Sequence, residues 1–201
     1  MPARSRPYHH GALRQSLLAA AEAILEREGL AALTLRAAAR EAGVSHAAPA
    51  YHFGDLSGLL SELAAVGFAR FGARLRSAAA ATPADPLRAM GFAYVGFARA
   101  HPGMFTLMFR ADRLNMQRPA LRAAADAAWQ ALSAAAGAAD APPLNRLAGR
   151  IAPWALAHGL AVLLIDGRLQ PALHELPGGA RDIDALVAAV LAPDQNASDT
   201  A

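Results

Sequence analysis

The chain has 201 residues, 55% of them hydrophobic, and a formal net charge of +3. That length suits one large domain or two small ones, and the apolar fraction excludes disorder as the main state. It contains no cysteine, which excludes a disulfide framework, thiolate metal sites and a cysteine nucleophile, and fits a cytoplasmic setting.

Residues 1–80 hold nine arginines against six acids, whereas residues 81–201 hold ten of each. The basic surplus therefore lies in the N-terminal part. The opening Met-Pro-Ala-Arg-Ser-Arg-Pro is polar and does not read as a secretion signal. The most apolar run, Trp154 to Ile165 interrupted by His158, falls short of the ~20 residues of a membrane span, so no membrane partner is expected.

Residues 1–8 read as a mobile arm, and its Arg4 and Arg6 either enter a minor groove or belong to an unstructured tail. A helix is predicted over 9–28, since Leu13, Leu17, Ala21, Ile24 and Leu25 recur at helical spacing and Gly29 can stop it. Two short helices follow at about 34–41 and 45–52. Asp55 or Ser57 can cap a long helix to about Ala80, and Thr82-Pro83 with Asp85-Pro86 marks its end. Further helices are expected at about 86–100, through 104–109, over 118–137, over 144–165 and over 181–192. Asp166 to Ala180 reads as a loop, residues 193–201 as a disordered tail, and no segment as a strand. The fold class is all-α: a three-helix head over 1–55, joined by a long helix to a larger helical body within 56–192.

The pair at 34–52 carries the functional signal. Thr34 can N-cap the first helix and Ser45 the second, because each hydroxyl can accept an orphan backbone N–H. Gly43 sits where the chain must reverse, and Leu35, Ala38, Ala39 and Val44 form a small apolar seam. This is the layout of a helix-turn-helix, whose second helix enters the major groove of double-stranded DNA. Pro49 falls in the first turn of that helix, where an N–H is dispensable. His46 and Ala47 lie where base edges are reached, and a small Ala can contact a thymine methyl. Thr34, Ser45, Arg36 and Tyr51 are candidates for phosphate contact, with His52 on the groove wall. Phe53 reads as core.

The histidines at 9, 10, 46, 52, 101, 158 and 174 show no metal-ligand spacing with a carboxylate on one helical face. With no Gly-rich phosphate loop, nucleophile elbow or paired carboxylates either, neither catalysis nor a cofactor or metal is expected. The Met and aromatic residues between Phe92 and Trp154 read first as core, with a lined cavity as the alternative.

From the helix of 9–28, through Thr34-Leu35-Arg36 and Ala42-Gly43-Val44-Ser45, to Tyr51-His52-Phe53 and Asp55, the head resembles the TetR family of transcriptional regulators. The body resembles the subgroup with a Trp-x-x-x-His-Gly signature: Trp154 and His158-Gly159 match it, preceded by His101-Pro102, Met104-Phe105 and Leu107-Met108-Phe109. Two positions depart from the family pattern, Ala50 where a Tyr is usual and Leu56 where a Lys is usual.

The resemblance implies an effector pocket, for which Phe97, Met104, Met108, Trp129, Trp154 and His158 are the candidates, and their composition suggests a small, largely apolar effector. His158 either orients a ligand or is a hydrogen-bonded structural histidine beside Gly159. The apolar helices at 144–165 and 181–192 are expected to form a four-helix bundle in a homodimer, through Leu147, Ile151, Leu163, Leu186, Val187 and Val190. Two-fold symmetry then implies a palindromic operator. The expected function is a ligand-controlled DNA-binding regulator, a repressor in the first instance. The alternative, favoured by Ala50 and Leu56, is a helical ligand-binding or adaptor protein with weakened DNA binding.

Overall fold

The computed structural model describes residues 10–135, 142–178 and 182–192. Among them every regular element is helical. The expected N-terminal arm with Arg4 and Arg6 and the expected C-terminal tail lie outside the described residues. The chain divides into two compact units, one of Met1–Gly67 with Gly103–Ala123, the other of Phe68–Pro102 with Ala124–Ala201.

The first unit begins with α1 (His10–Glu28), whose Leu17, Ala21, Ile24 and Leu25 are buried as their spacing predicts. A 3₁₀ turn at Leu30–Ala32 leads to α2 (Leu35–Glu41) and α3 (Ala48–Phe53). These two pack on each other and on α1 around Leu33, Ala38, Ala39 and Phe53. The first three turns of α4 (Leu56–Ala81) add Leu59 and Leu63 to this core. Asp55 caps α4, its Oδ1 accepting the Gly58 N–H at 2.7 Å.

The unit also contains α6 (Pro102–Met108, all but its first residue), a turn at Ala111–Arg113 and the start of α7 (Pro119–Ala134). The Glu26 carboxylate of α1 accepts the Gly103 and Met104 N–H groups at 3.0 and 2.9 Å, satisfying two orphan donors at the start of α6. Met104 and Met108 are buried against Gly67, where an added Cβ would lie 2.7 and 2.8 Å from their sulfurs.

In the second unit, α5 (Pro86–Ala100) opens with Pro at its first position, and Asp85 Oδ1 accepts the Arg88 N–H at 3.2 Å. Of its buried residues, Met90, Ala93, Tyr94, Phe97 and Ala98 follow the i, i+3, i+4, i+7, i+8 pattern of one helical face, and Val95 is buried beside it. That face packs along α8 (Pro143–Ile165), with α10 (Ile183–Val190) also on α5. By length and composition α8 could cross a membrane, but it carries Arg146 and Arg150 in its first turns.

The Gly- and Pro-rich stretch from Asp166 to Ala180, expected as a loop, is partly helical. α9 (Gln170–His174) forms there, with Pro171 in its first turn and Leu173 buried. Proline costs nothing at that position, and one anchored leucine holds the turn.

Candidate functional site

In the first unit the helix-turn-helix forms as the residues predict, with one correction. Thr34 takes an extended conformation and its Oγ1 accepts the Ala37 N–H at 3.0 Å, the N-cap of α2. At the other end Gly43 has φ +65°, its N–H bonds Arg40 O at 3.1 Å, and the Val44 N–H bonds Ala39 O at 3.0 Å. This is a Schellman ending, in which the αL residue must tolerate a positive φ.

The second helix, expected over 45–52 with Ser45 as cap, starts later, at Ala48. Ser45 Oγ accepts the Ala47 N–H at 3.3 Å and Ser45 O the Ala48 N–H at 3.0 Å, so Ser45 closes a turn ahead of the helix. The reason is Pro49. A helix starting at Ser45 would need the residue at 49 to donate to Ser45 O, and proline has no N–H. The first α-type bond therefore runs from Tyr51 N to Ala47 O, at 3.1 Å.

This later start sets what the helix displays. Pro49 and Phe53 turn inward and are buried. Ala47, Ala50 and Tyr51, at i, i+3 and i+4, face outward, and Tyr51 is 77% exposed. Ser45 and His46 are also exposed, His52 is half-buried, and the His52 ring lies edge-on to Tyr51 with centroids 5.2 Å apart. Thr34 and Arg36 on α2 are exposed. The seven residues singled out from the sequence thus lie along α2, the turn and α3, each with exposed or half-exposed surface.

In the second unit Tyr94, Trp154 and His158 form a hydrogen-bonded chain. Trp154 Nε1 donates to the Tyr94 hydroxyl oxygen at 3.2 Å, and that oxygen lies 2.9 Å from His158 Nδ1. An indole N–H can only donate, and with Trp154 donating to it the Tyr94 hydroxyl can give its own O–H to Nδ1, an arrangement that goes with a His158 proton on Nε2. Burial lowers the His158 pKa below the usual imidazole value, favouring the neutral ring. Burial raises the Tyr94 pKa, opposed by the Trp154 hydrogen bond. Trp129 packs on Trp154 in a T-shaped pair with centroids 5.7 Å apart.

A cavity of about 20 Å³, room for about one water, lies beside this cluster, walled by α5, Leu132 of α7 and Arg150, Pro153, Trp154 and Ala157 of α8. Two open clefts are larger. One of about 490 Å³ lies among α5, α8 and the end of α10, and one of about 550 Å³ among α4, α5 and α7. Of the expected effector residues only Trp154 lines the small cavity. Phe97 is buried against Phe71 and His101, with centroids 5.3 and 5.1 Å away, and Met104 and Met108 belong to the first unit. Tyr94 was not singled out from the sequence. Its one signal is that a buried tyrosine hydroxyl demands a partner, and periodicity cannot say that the partner lies 64 residues away.

Leu147, Ile151 and Leu163 are exposed on α8, together with Leu144 and Leu156. Leu186 and Val190 are half-buried on α10. Val187, on the same helix, is 2% exposed and enclosed within its own unit.

Comparison with known proteins places these units. Residues 17–63 match bacterial regulatory proteins of the tetR family, and residues 87–192 match the tetracyclin repressor-like C-terminal domain. A solved structure of a protein with unknown function from Rhodococcus sp. RHA1 is 34% identical, with a TM-score of 0.70 over 93% of this chain and 97% of that one. The structure of SCO4313, described as a regulatory protein, is 21% identical with a TM-score of 0.68 over 93% and 97% of the two chains, a likeness of fold. No curated protein matches. The chain belongs to the TetR family of bacterial regulatory proteins.

Proposed function

We propose that the protein is a cytoplasmic, homodimeric transcriptional repressor that binds a palindromic operator and is released by a small, largely apolar effector. Residues 1–55 are its DNA-binding head and 56–192 its effector and dimer body. The observation that carries this reading is the outward face of α3. There a tyrosine 77% exposed stands beside two exposed alanines, held from behind by buried Pro49 and Phe53, on the helix that a helix-turn-helix presents to the major groove. A surface of small residues lets the backbone approach base edges, with His46 and Ala47 reaching them and Thr34, Arg36, Ser45 and Tyr51 holding phosphates.

The exposed Leu144, Leu147 and Ile151 on one side of α8, with Leu163 exposed further along it and Leu186 and Val190 half-buried on α10, support the dimer, because monomers rarely leave much apolar surface to water. Two heads then meet successive major grooves about 34–36 Å apart. The apolar walls of the cleft among α5, α8 and α10, including Leu87, Pro153, Leu156 and Leu191, support an apolar effector. Such a ligand controls binding only by favouring a state whose head spacing does not fit the operator.

The test is fluorescence anisotropy on the DNA upstream of the protein's own gene, in a salt series, with Tyr51→Ala and an unrelated duplex as controls. Sub-micromolar binding that prefers the cognate duplex and weakens in the variant is expected. A protein that binds no duplex selected from a random library in preference to any other is not a sequence-specific regulator.

A further inference from the structure

We infer that Arg118 is a positioning residue for DNA recognition, holding the C-terminal end of α3 from the residue that precedes α7. The inference rests on reading α3 as the recognition helix. Arg118 Nη2 donates to the Phe53 carbonyl oxygen at 2.5 Å, and Nη1 donates to Glu62 Oε1 at 3.2 Å. Phe53 is the last residue of α3, and its carbonyl is one of the acceptors a helix end leaves without an intrahelical partner. Glu62, on α4, also pairs through its other oxygen with Arg14 of α1. The Arg14 guanidinium carbon lies 5.7 Å from the centroid of the Phe53 ring. One carboxylate between two guanidiniums thus joins α1, α4 and the approach to α7 around the last residue of α3. The side chains of Glu62 and Arg118 are only 15% and 29% exposed, so water screens these contacts less than it would on an open surface.

The backbone around the contact is shaped to admit it. An added Cβ at Gly58 would lie 2.0 Å from Phe53 O and 2.4 Å from Arg118 Nη2, so only glycine leaves room for the guanidinium on the carbonyl. The Asn115 N–H donates to Ser61 Oγ at 2.8 Å, and Ser61 Oγ donates to Ser57 O at 2.6 Å, which seats the approach to Arg118 on α4. The Arg118 carbonyl accepts the Arg122 N–H at 3.0 Å as α7 begins. A shift of that first turn of α7 therefore acts on the end of α3 through one side chain. An arginine whose two terminal nitrogens are both engaged inside the protein is not placed to neutralise a phosphate. A lysine could not serve both acceptors with the same fork.

The test uses the full-length protein and a duplex that the wild type selects from a random library. Wild type, Arg118→Gln and Arg118→Lys are compared for affinity on that duplex and on a scrambled one across a salt series. Hydrogen exchange of the α3 amides is followed without DNA. Arg118→Gln is expected to lose about tenfold to a hundredfold in affinity for the selected duplex, the range for a charged hydrogen bond. Preference over the scrambled duplex should fall, the salt slope should stay unchanged, and exchange should speed at Tyr51 to Gly54 but not in the middle of α1. Arg118→Lys should recover part of the affinity, and it carries the measurement if Arg118→Gln fails to fold. A salt slope reduced by about one would make Arg118 a phosphate contact and overturn the inference. Unchanged affinity and unchanged α3 exchange, with only a lower melting temperature, would also overturn it. If the wild type selects no duplex, the DNA-binding reading falls separately. The α3 exchange then decides, and no change in the variants overturns the positioning role.

Discussion

Replacing Tyr94 with Phe removes one oxygen from a side chain that is 1% exposed and alters no packing volume of consequence. That oxygen serves both Trp154 Nε1 at 3.2 Å and His158 Nδ1 at 2.9 Å. A net hydrogen bond contributes about 1 kcal/mol, so two set a ceiling of about 2 kcal/mol. Trp154 and His158 are half-buried, and water can re-satisfy part of what they lose, which brings the expected cost to about 1–2 kcal/mol. For a chain of this size that is a fall in melting temperature of about 2–8 °C. The assay is thermal unfolding followed by circular dichroism, with wild type and variant at equal protein concentration because association shifts the midpoint. It is run at pH 8 and at pH 5.5. Burial holds the folded His158 below its ordinary pKa, so the unfolded chain binds the proton first as pH falls. The stability supplied by a neutral His158 is thus present above about pH 6.5 and lost below it. Removing the Tyr94 donor weakens the preference for the neutral ring, so the gap between wild type and Tyr94→Phe should narrow at pH 5.5. Equal melting temperatures at pH 8, or a gap of the same size at both pH values, would refute the proposed direction of these hydrogen bonds.

Three other outcomes follow from the geometry. Thr34→Ala removes the acceptor for the Ala37 N–H and should cost about 1 kcal/mol, read by chemical denaturation, with Thr34→Ser recovering most of it. Gly58→Ala drives a methyl into Phe53 O and the Arg118 guanidinium and should cost about 1–3 kcal/mol, whereas Gly11→Ala, with open space around it, should not destabilise. Ile151→Glu places a charge on the exposed apolar face of α8; sedimentation should then show a monomer, and an unchanged dimer would move the interface away from α8.

Much of this protein was legible because it depends on neighbours in sequence. The helix-turn-helix was readable from Thr34, Gly43 and the small residues between them, since a cap and an αL turn are settled within a few residues. The helical stripes of α1 and α5 followed from spacing alone, because one face of a helix must meet the core whatever its partner. Even the late start of α3 is implicit in Pro49, whose missing N–H is a local fact, although Ser45 offers a competing capping signal. What tertiary structure alone decided is which distant residues meet. Tyr94 and His158 are 64 positions apart, and Arg118 and Phe53 65 apart, and no periodicity pairs them. Burial of Val187 and the packing of Met104 and Met108 against Gly67 within the first unit were equally invisible, because an apolar residue at helical spacing suits an internal face, a pocket wall or a dimer contact alike. Local chemistry determines each helix and its ends. Only the packing of helices selects among the faces those helices offer, because burial is a property of the surroundings and not of the residue.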